Sequence, residues 1–203
     1  MKKIINMLLI IILVFSCVGC GEKDLSKGRV DKVNYEETSE VTNYVKIETT
    51  KNQVIIMELY PEVAPITVEN FKKLVSEKFY DGIIFHRVIN DFMIQGGDPE
   101  GTGIGGSKET IKGEFASNGV ENNLSHTRGV VSMARRGDDM DSASSQFFIV
   151  HADATYLDGD YAAFGRVIAG MDAVDEIAEV ATDNNDKPIN VQKMRSIRFV
   201  DIK

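Results

Sequence analysis

The apolar residues of this chain come in short runs cut by turn-forming residues, and that pattern limits the fold more than any other feature. From Tyr44 onward the runs are Tyr44 to Thr49, Val54 to Tyr60, Ile83 to Ile89, Phe92 to Gln95, Val130 to Met133, Phe147 to Val150, Ala163 to Ile168 and the alternating Met194 to Ile202. Gly, Asp and Asn punctuate them, as the turns of an antiparallel sheet or barrel require. The first two runs flank the polar turn Lys51-Asn52-Gln53 and form a hairpin by pattern. Helical spacing takes over after Ala64-Pro65, where Val68, Phe71, Leu74 and Val75 share one face and proline suits the first turn. A second helix is expected over Met171 to Val180, so the spacing predicts a mainly β domain with two helices.

A chain of 203 residues suits one domain with an accessory segment. Apolar content of 43% and charged content of 27% are those of a globular protein. The net charge of -8 argues against a nucleic-acid partner, because neutralising phosphates takes a basic face. Cys17 and Cys20 are the chain's 2 cysteines, so residues 44–203 hold no thiol for a disulfide or a zinc-thiolate site. His86, His126 and His151 are too scattered for a local metal motif, and neither metal nor cofactor is expected. Asp138, Asp139 and Asp141 lack the downstream Gly and Glu of a calcium loop. Gly101-Thr102-Gly103-Ile104-Gly105-Gly106 spells a dinucleotide fingerprint but follows Asp98-Pro99 and leads into polar residues; it reads as a flexible loop.

Residues 1–20 are a different material. Lys2 and Lys3 precede an apolar stretch from Met7 to Phe15, the layout of a secretory signal. The ending Ser16-Cys17-Val18-Gly19-Cys20 resembles a bacterial lipobox, with Cys20 as the favoured lipidation site and Cys17 as the alternative register. An ordinary cleaved signal or an uncleaved anchor is the competing reading. Residues 21–43 are polar and without sustained period, and a flexible tether is expected, with an edge strand around Val30 to Tyr35 as the alternative. These segments predict a domain over 44–203 held outside the cytoplasmic membrane of a bacterial cell by an N-terminal lipid anchor; a monomer is expected, though nothing in these segments fixes the oligomeric state.

The chemistry-bearing motifs are Phe85-His86-Arg87, then Phe92-Met93-Ile94-Gln95-Gly96-Gly97-Asp98, then Ser145-Gln146-Phe147-Phe148. Taken singly, Phe92, Met93 and Phe148 are ordinary core residues and Arg87 a surface cation. In this order and spacing they resemble the cyclophilins, a family of peptidyl-prolyl cis/trans isomerases. The resemblance covers about residues 44–203 and implies a closed eight-stranded antiparallel β-barrel capped by two α-helices. It also implies that proline-containing segments, here those of exported proteins, are the partners.

An X-Pro bond crosses a barrier of about 18–20 kcal/mol set by amide resonance. In the twisted transition state the nitrogen lone pair is no longer delocalised, so a donor aimed at it stabilises that state more than the planar one. Arg87, a permanent cation with a rigid fork of donors, is the candidate. By resemblance, Phe92, Met93, Phe148 and Leu157 form the proline pocket and Gln95 bonds the substrate backbone; Ala134 and Arg135 match positions whose backbone pairs with the peptide, and Gln146 matches a groove residue. Tyr156 stands where well-known eukaryotic members carry a Trp that helps bind cyclosporin, and Tyr161 replaces a pocket His. The loop Arg135 to Ala143 exceeds the usual form by about two residues, so substrate preference is a candidate role for it. The rival reading is a noncatalytic module or holdase that grips proline segments in the same groove; retention of Arg87 favours the enzyme.

Overall fold

The computed structural model describes residues 25–203. The signal and lipobox expected over 1–20, with Cys17 and Cys20, lie outside the described residues, as do residues 21–24. The strands are β1 (Lys27–Val30), β2 (Val33–Glu37), β3 (Tyr44–Thr49), β4 (Val54–Leu59), β5 (Arg87–Ile89), β6 (Met93–Gly96), β7 (Val130–Met133), β8 (Phe147–Val150), β9 (Ala163–Ala169) and β10 (Met194–Ile202). The helices are α1 (Pro65–Ser76), between β4 and β5, and α2 (Met171–Ala178), between β9 and β10, which ends short of the expected Val180.

All the strand pairs are antiparallel and form one ten-stranded sheet in the order β1-β2-β10-β3-β4-β9-β7-β8-β6-β5. This corrects the expectation of a closed eight-stranded barrel. The ladder does not close between β5 and β10, where the contact is an isolated bridge, Ile84 with Lys193. Residues 83–86 run irregularly there, and the seam is carried by the bonds Met194 N–H to Ile83 O (2.9 Å) and Phe85 N–H to Gln192 O (2.8 Å).

The other two strands come from the stretch expected as a tether. Lys27 to Glu37 folds into a hairpin through Asp31, whose φ of 51° suits a tight turn. β2 pairs with the end of β10, and Tyr35 and Leu25 are buried with Val54, Ile56 and Val200 in a small apolar cluster. Lys46 explains why a polar hairpin docks. Its ammonium is buried between Glu37 (2.5 Å), Glu48 (3.1 Å) and the Leu25 carbonyl (2.6 Å). Arg195 neutralises Glu48 from its other side at 2.5 Å. A buried cation is tolerated because it is multiply paired.

α1 shows a different dependence on distant sequence. Its N-cap is Ala64, which has no side chain to satisfy the first amides. The buried Glu114 does so instead, accepting from the amides of Ile66 (3.0 Å) and Thr67 (2.8 Å) and from the Thr67 hydroxyl (2.7 Å). Val68, Phe71, Leu74 and Val75 then enter the main core, where the Phe71 ring lies 5.2 Å from those of Tyr80 and Phe164 and edge-on to Phe147 at 5.5 Å. Burial of a side chain such as Phe71 contributes about 2–3 kcal/mol.

Candidate active site

Register decides which residues meet. Across β5, β6, β8, β7 and β9 the partners Arg87, Gln95, Phe148, Ser132 and Ala163 lie in one row. Directly paired residues share a face, so these side chains stand on one side of the sheet. The alternate row, Val88, Ile94, Ile149 and Val131, faces the main core. The strands are apolar on both faces because the outer face carries its own cluster, in which Met93, Val130, Phe148, Val150 and Leu157 pack with Phe92, Ala134 and Tyr161. Phe92, Met93 and Phe148 are therefore not part of the main core.

That cluster floors a cavity of about 540 Å³ lined by Arg87, Phe92, Met93, Gln95, Ala134, Arg135, Phe148, Leu157 and Tyr161. The sequence reading placed every one of these in the groove. Phe148 and Tyr161 meet edge-on at 6.0 Å, and Arg135 stacks over Tyr161 at 4.9 Å and over Phe115 at 5.2 Å. With its Nε donating to the Asp160 carbonyl (2.9 Å), Arg135 stiffens this wall. Gln146 and Tyr156 do not line this cavity. Gln146 lies in the adjoining depression, and Tyr156 is 70% exposed with its ring 5.9 Å from that of Phe92. The Ala134 N–H is donated to the Gln146 carbonyl at 3.0 Å, which leaves the Ala134 carbonyl as its backbone group at the cavity.

The cationic and amide groups are held from behind. Arg87 donates from Nε to Asp186 at 3.3 Å. Gln95 donates from Nε2 to the Gln146 Oε1 at 2.9 Å, and Gln146 donates in turn to the carbonyls of Gly103 (3.0 Å) and Gly105 (2.7 Å). Those carbonyls belong to the glycine-rich loop, which is tied down rather than flexible. The Asp98 carboxylate accepts from the amides of Glu100 (2.8 Å), Thr102 (2.9 Å), Gly103 (2.6 Å) and Gly105 (3.3 Å). Burial by itself would raise the Asp98 pKa, but these amides together outweigh it and hold the carboxyl below its usual value. The Gly-Gly of the motif is steric: Gly97 has φ 90° and a Cβ there would overlap the Ser145 carbonyl.

Sequence reasoning missed His86, Gly101, Thr102, Gly103, Asp183, Asn185 and Lys187 as lining residues. The last three sit in a polar loop with no apolar or motif signal. It also missed the buried row beneath Phe148: His126 stacks on Phe148 at 6.1 Å, with Nδ1 2.8 Å from Asp158 and Nε2 3.0 Å from the Ser132 Oγ. Among the described residues, no group of three or more His, Cys, Asp or Glu is placed to hold a metal ion.

The family model for cyclophilin-type peptidyl-prolyl cis-trans isomerases (and CLD) matches residues 44–199. This chain belongs to that family. Peptidyl-prolyl cis-trans isomerase ppi1 of Schizosaccharomyces pombe is 44% identical over 151 residues, covering 74% of this chain and 94% of the relative. Among solved structures, a Cryptosporidium parvum cyclophilin determined in the presence of the dipeptide Ala-Pro matches with a TM-score of 0.71 at 31% identity, over 77% of this chain and 98% of that one. A cyclophilin from Hirschia baltica gives a TM-score of 0.64 at 27% identity, over 80% and 75% respectively. The cyclophilin domain starts where β3 starts, so the β1–β2 hairpin is an addition to the matched region.

Proposed function

We propose that this cyclophilin is a lipid-anchored peptidyl-prolyl cis/trans isomerase that works outside the cytoplasmic membrane on proline-containing segments of exported chains. The isomerase activity is that of the family to which the chain belongs. The observation that carries the mechanism is that the Arg87 guanidinium and the Gln95 amide, paired in register, border one cavity whose floor is the apolar cluster of Phe92, Met93, Phe148 and Leu157. A pyrrolidine ring fits the apolar floor, the extended backbone takes the amide partner, and Arg87 stabilises the twisted bond as resonance is lost. A relative studied with Ala-Pro supports a proline peptide as the ligand.

The test is the isomerisation rate of a short X-Pro reporter with the fragment 25–203, which keeps the hairpin. Arg87→Ala is expected to lower kcat by about a hundredfold while changing peptide affinity by less than about threefold, since a factor of ten corresponds to about 1.4 kcal/mol. Equal losses in both would remove Arg87 from the mechanism. A folded fragment inactive on varied X-Pro peptides would favour a noncatalytic binding module.

The anchor rests on sequence. Small residues and Cys20 follow an apolar stretch with Lys2 and Lys3 ahead of it. In bacterial cells fed a labelled fatty acid, Cys20→Ala is expected to abolish label on the full chain while Cys17→Ala leaves it. The reverse would move the site to Cys17, and label on neither protein would replace the anchor with an ordinary cleaved signal.

A further inference from the structure

We propose that Asp186 is a positioning residue for the isomerisation, holding the Arg87 guanidinium in the orientation that catalysis needs. The inference rests on the role of Arg87 argued above. An arginine side chain that borders an open cavity is long and rotamer-rich, and 42% of it is exposed here. Left alone it would sample many directions, few of which aim at a bond about to twist. Asp186 takes its Nε at 3.3 Å, which fixes the guanidinium plane and leaves both Nη groups for the cavity.

Asp186 is itself held rigidly, as a positioning group must be. Its carbonyl accepts the Val88 N–H at 2.8 Å, tying the loop to β5 next to Arg87, and its N–H donates to the Asp183 carbonyl at 3.1 Å. The Asp183 carboxylate takes the amides of Asn185 (2.8 Å) and Lys187 (3.0 Å), which hold it below its usual pKa. Lys187 then reaches across to the Gly101 carbonyl at 3.1 Å. Asp183, Asn185 and Lys187 of this turn line the cavity, whereas Asp186 does not, so its carboxylate serves Arg87 rather than the substrate. The backbone at Asp186 has φ 61°, where glycine costs least. An aspartate there brings the one thing glycine lacks, a carboxylate opposite Nε.

An ordinary surface ion pair predicts something different. With both partners more than 40% exposed, water and salt screen the attraction, and removing the carboxylate should matter little to anything. A positioning role predicts that stability stays and turnover falls. The experiment compares the 25–203 fragment with Asp186→Gly, which the backbone accommodates without strain, and with Asp186→Asn, which restores a neutral acceptor. Asp186→Gly is expected to keep the melting temperature within about 2 °C, lower kcat about fivefold and leave KM within about twofold. Asp186→Asn should recover at least about half of the lost rate. In an Arg87→Ala background Asp186→Gly should cost nothing further.

The Arg87 Nε–H resonance provides a readout independent of turnover. It should be sharp in the parent, broadened by solvent exchange in Asp186→Gly and restored in Asp186→Asn. Unchanged kcat in Asp186→Gly, or an equal loss with and without Arg87, overturns the positioning role while leaving the isomerase reading intact. A parent inactive on X-Pro reporters overturns the isomerase reading and the positioning role with it, and the Nε–H resonance then tells whether the pair exists as an ion pair alone.

Discussion

His126 is buried against Phe148 with its ring bonded at both nitrogens, and burial holds its pKa below the usual value despite the opposing pull of Asp158. His86 is shifted the same way, first by burial, which outweighs the opposing pull of Asp98. The unfolded chain therefore binds protons at these two rings that the folded chain refuses. Their contribution to stability is complete above the unfolded value of about 6.5 and is lost as pH falls below it. Urea midpoints are expected to drop measurably between about pH 7.5 and pH 5.5, before the carboxylates titrate; a flat profile would contradict the burial argument. Lys46 makes the opposite case about what a sequence discloses. Nothing local marks a lysine in a strand as fully buried: Glu48 shares its face two residues along β3, but Glu37 and the Leu25 carbonyl are brought up only when β2 pairs with β10. Lys46→Ala should cost about 2 kcal/mol, measured by urea unfolding, because the buried Leu25 carbonyl loses its donor while Glu48 keeps Arg195. Arg87, Phe92, Gln95 and Phe148 were legible because their spacing is a motif; Asp186 was not, because it acts from a polar turn far along the chain.

At the level of elements, period and turn chemistry located β3 to β10 and both helices, since each strand of that region buries at least one face. The β1–β2 hairpin was read first as a tether, with an edge strand around Val30 to Tyr35 only as the alternative, because β1 buries almost nothing and β2 buries mainly Tyr35. A composition that looks like a linker is what an edge hairpin needs when its exposed side chains must stay polar. Deleting residues 25–43 removes the cover from Val54, Ile56 and Val200 and strips Lys46 of Glu37 and the Leu25 carbonyl. That truncation is expected to lose about 3 kcal/mol or more of stability, yet to retain activity where it remains folded, because the hairpin pairs with residues 200–202 of β10 and contributes no residue to the cavity. Loss of activity in a folded truncation would mean the hairpin reaches the site. Helix α1 is equally dependent on a distant group: Glu114→Ala should cost about 2 kcal/mol by orphaning the Ile66 and Thr67 amides and the buried Thr67 hydroxyl.

For the whole molecule, motifs and periodicity pointed to the family's sheet-and-two-helix architecture but not to its seam. A seam made of an isolated bridge and single backbone bonds is set by the irregular run of residues 83–86, which carries no periodic signal. The same holds for strand order, since β10 lies between β2 and β3, with partners far away along the chain: Val200 with Glu37, and Phe199 with Val45. Such pairing fixes when the structure can form as well as its shape. β2 lacks its sheet partner and β3 one of its two until residues 194–202 have emerged, so in a nascent chain stalled before them the 25–43 hairpin should stay open to protease. A polypeptide whose early strands β2 and β3 share their neighbour in its last strand keeps that edge of the sheet open until the final residues are made.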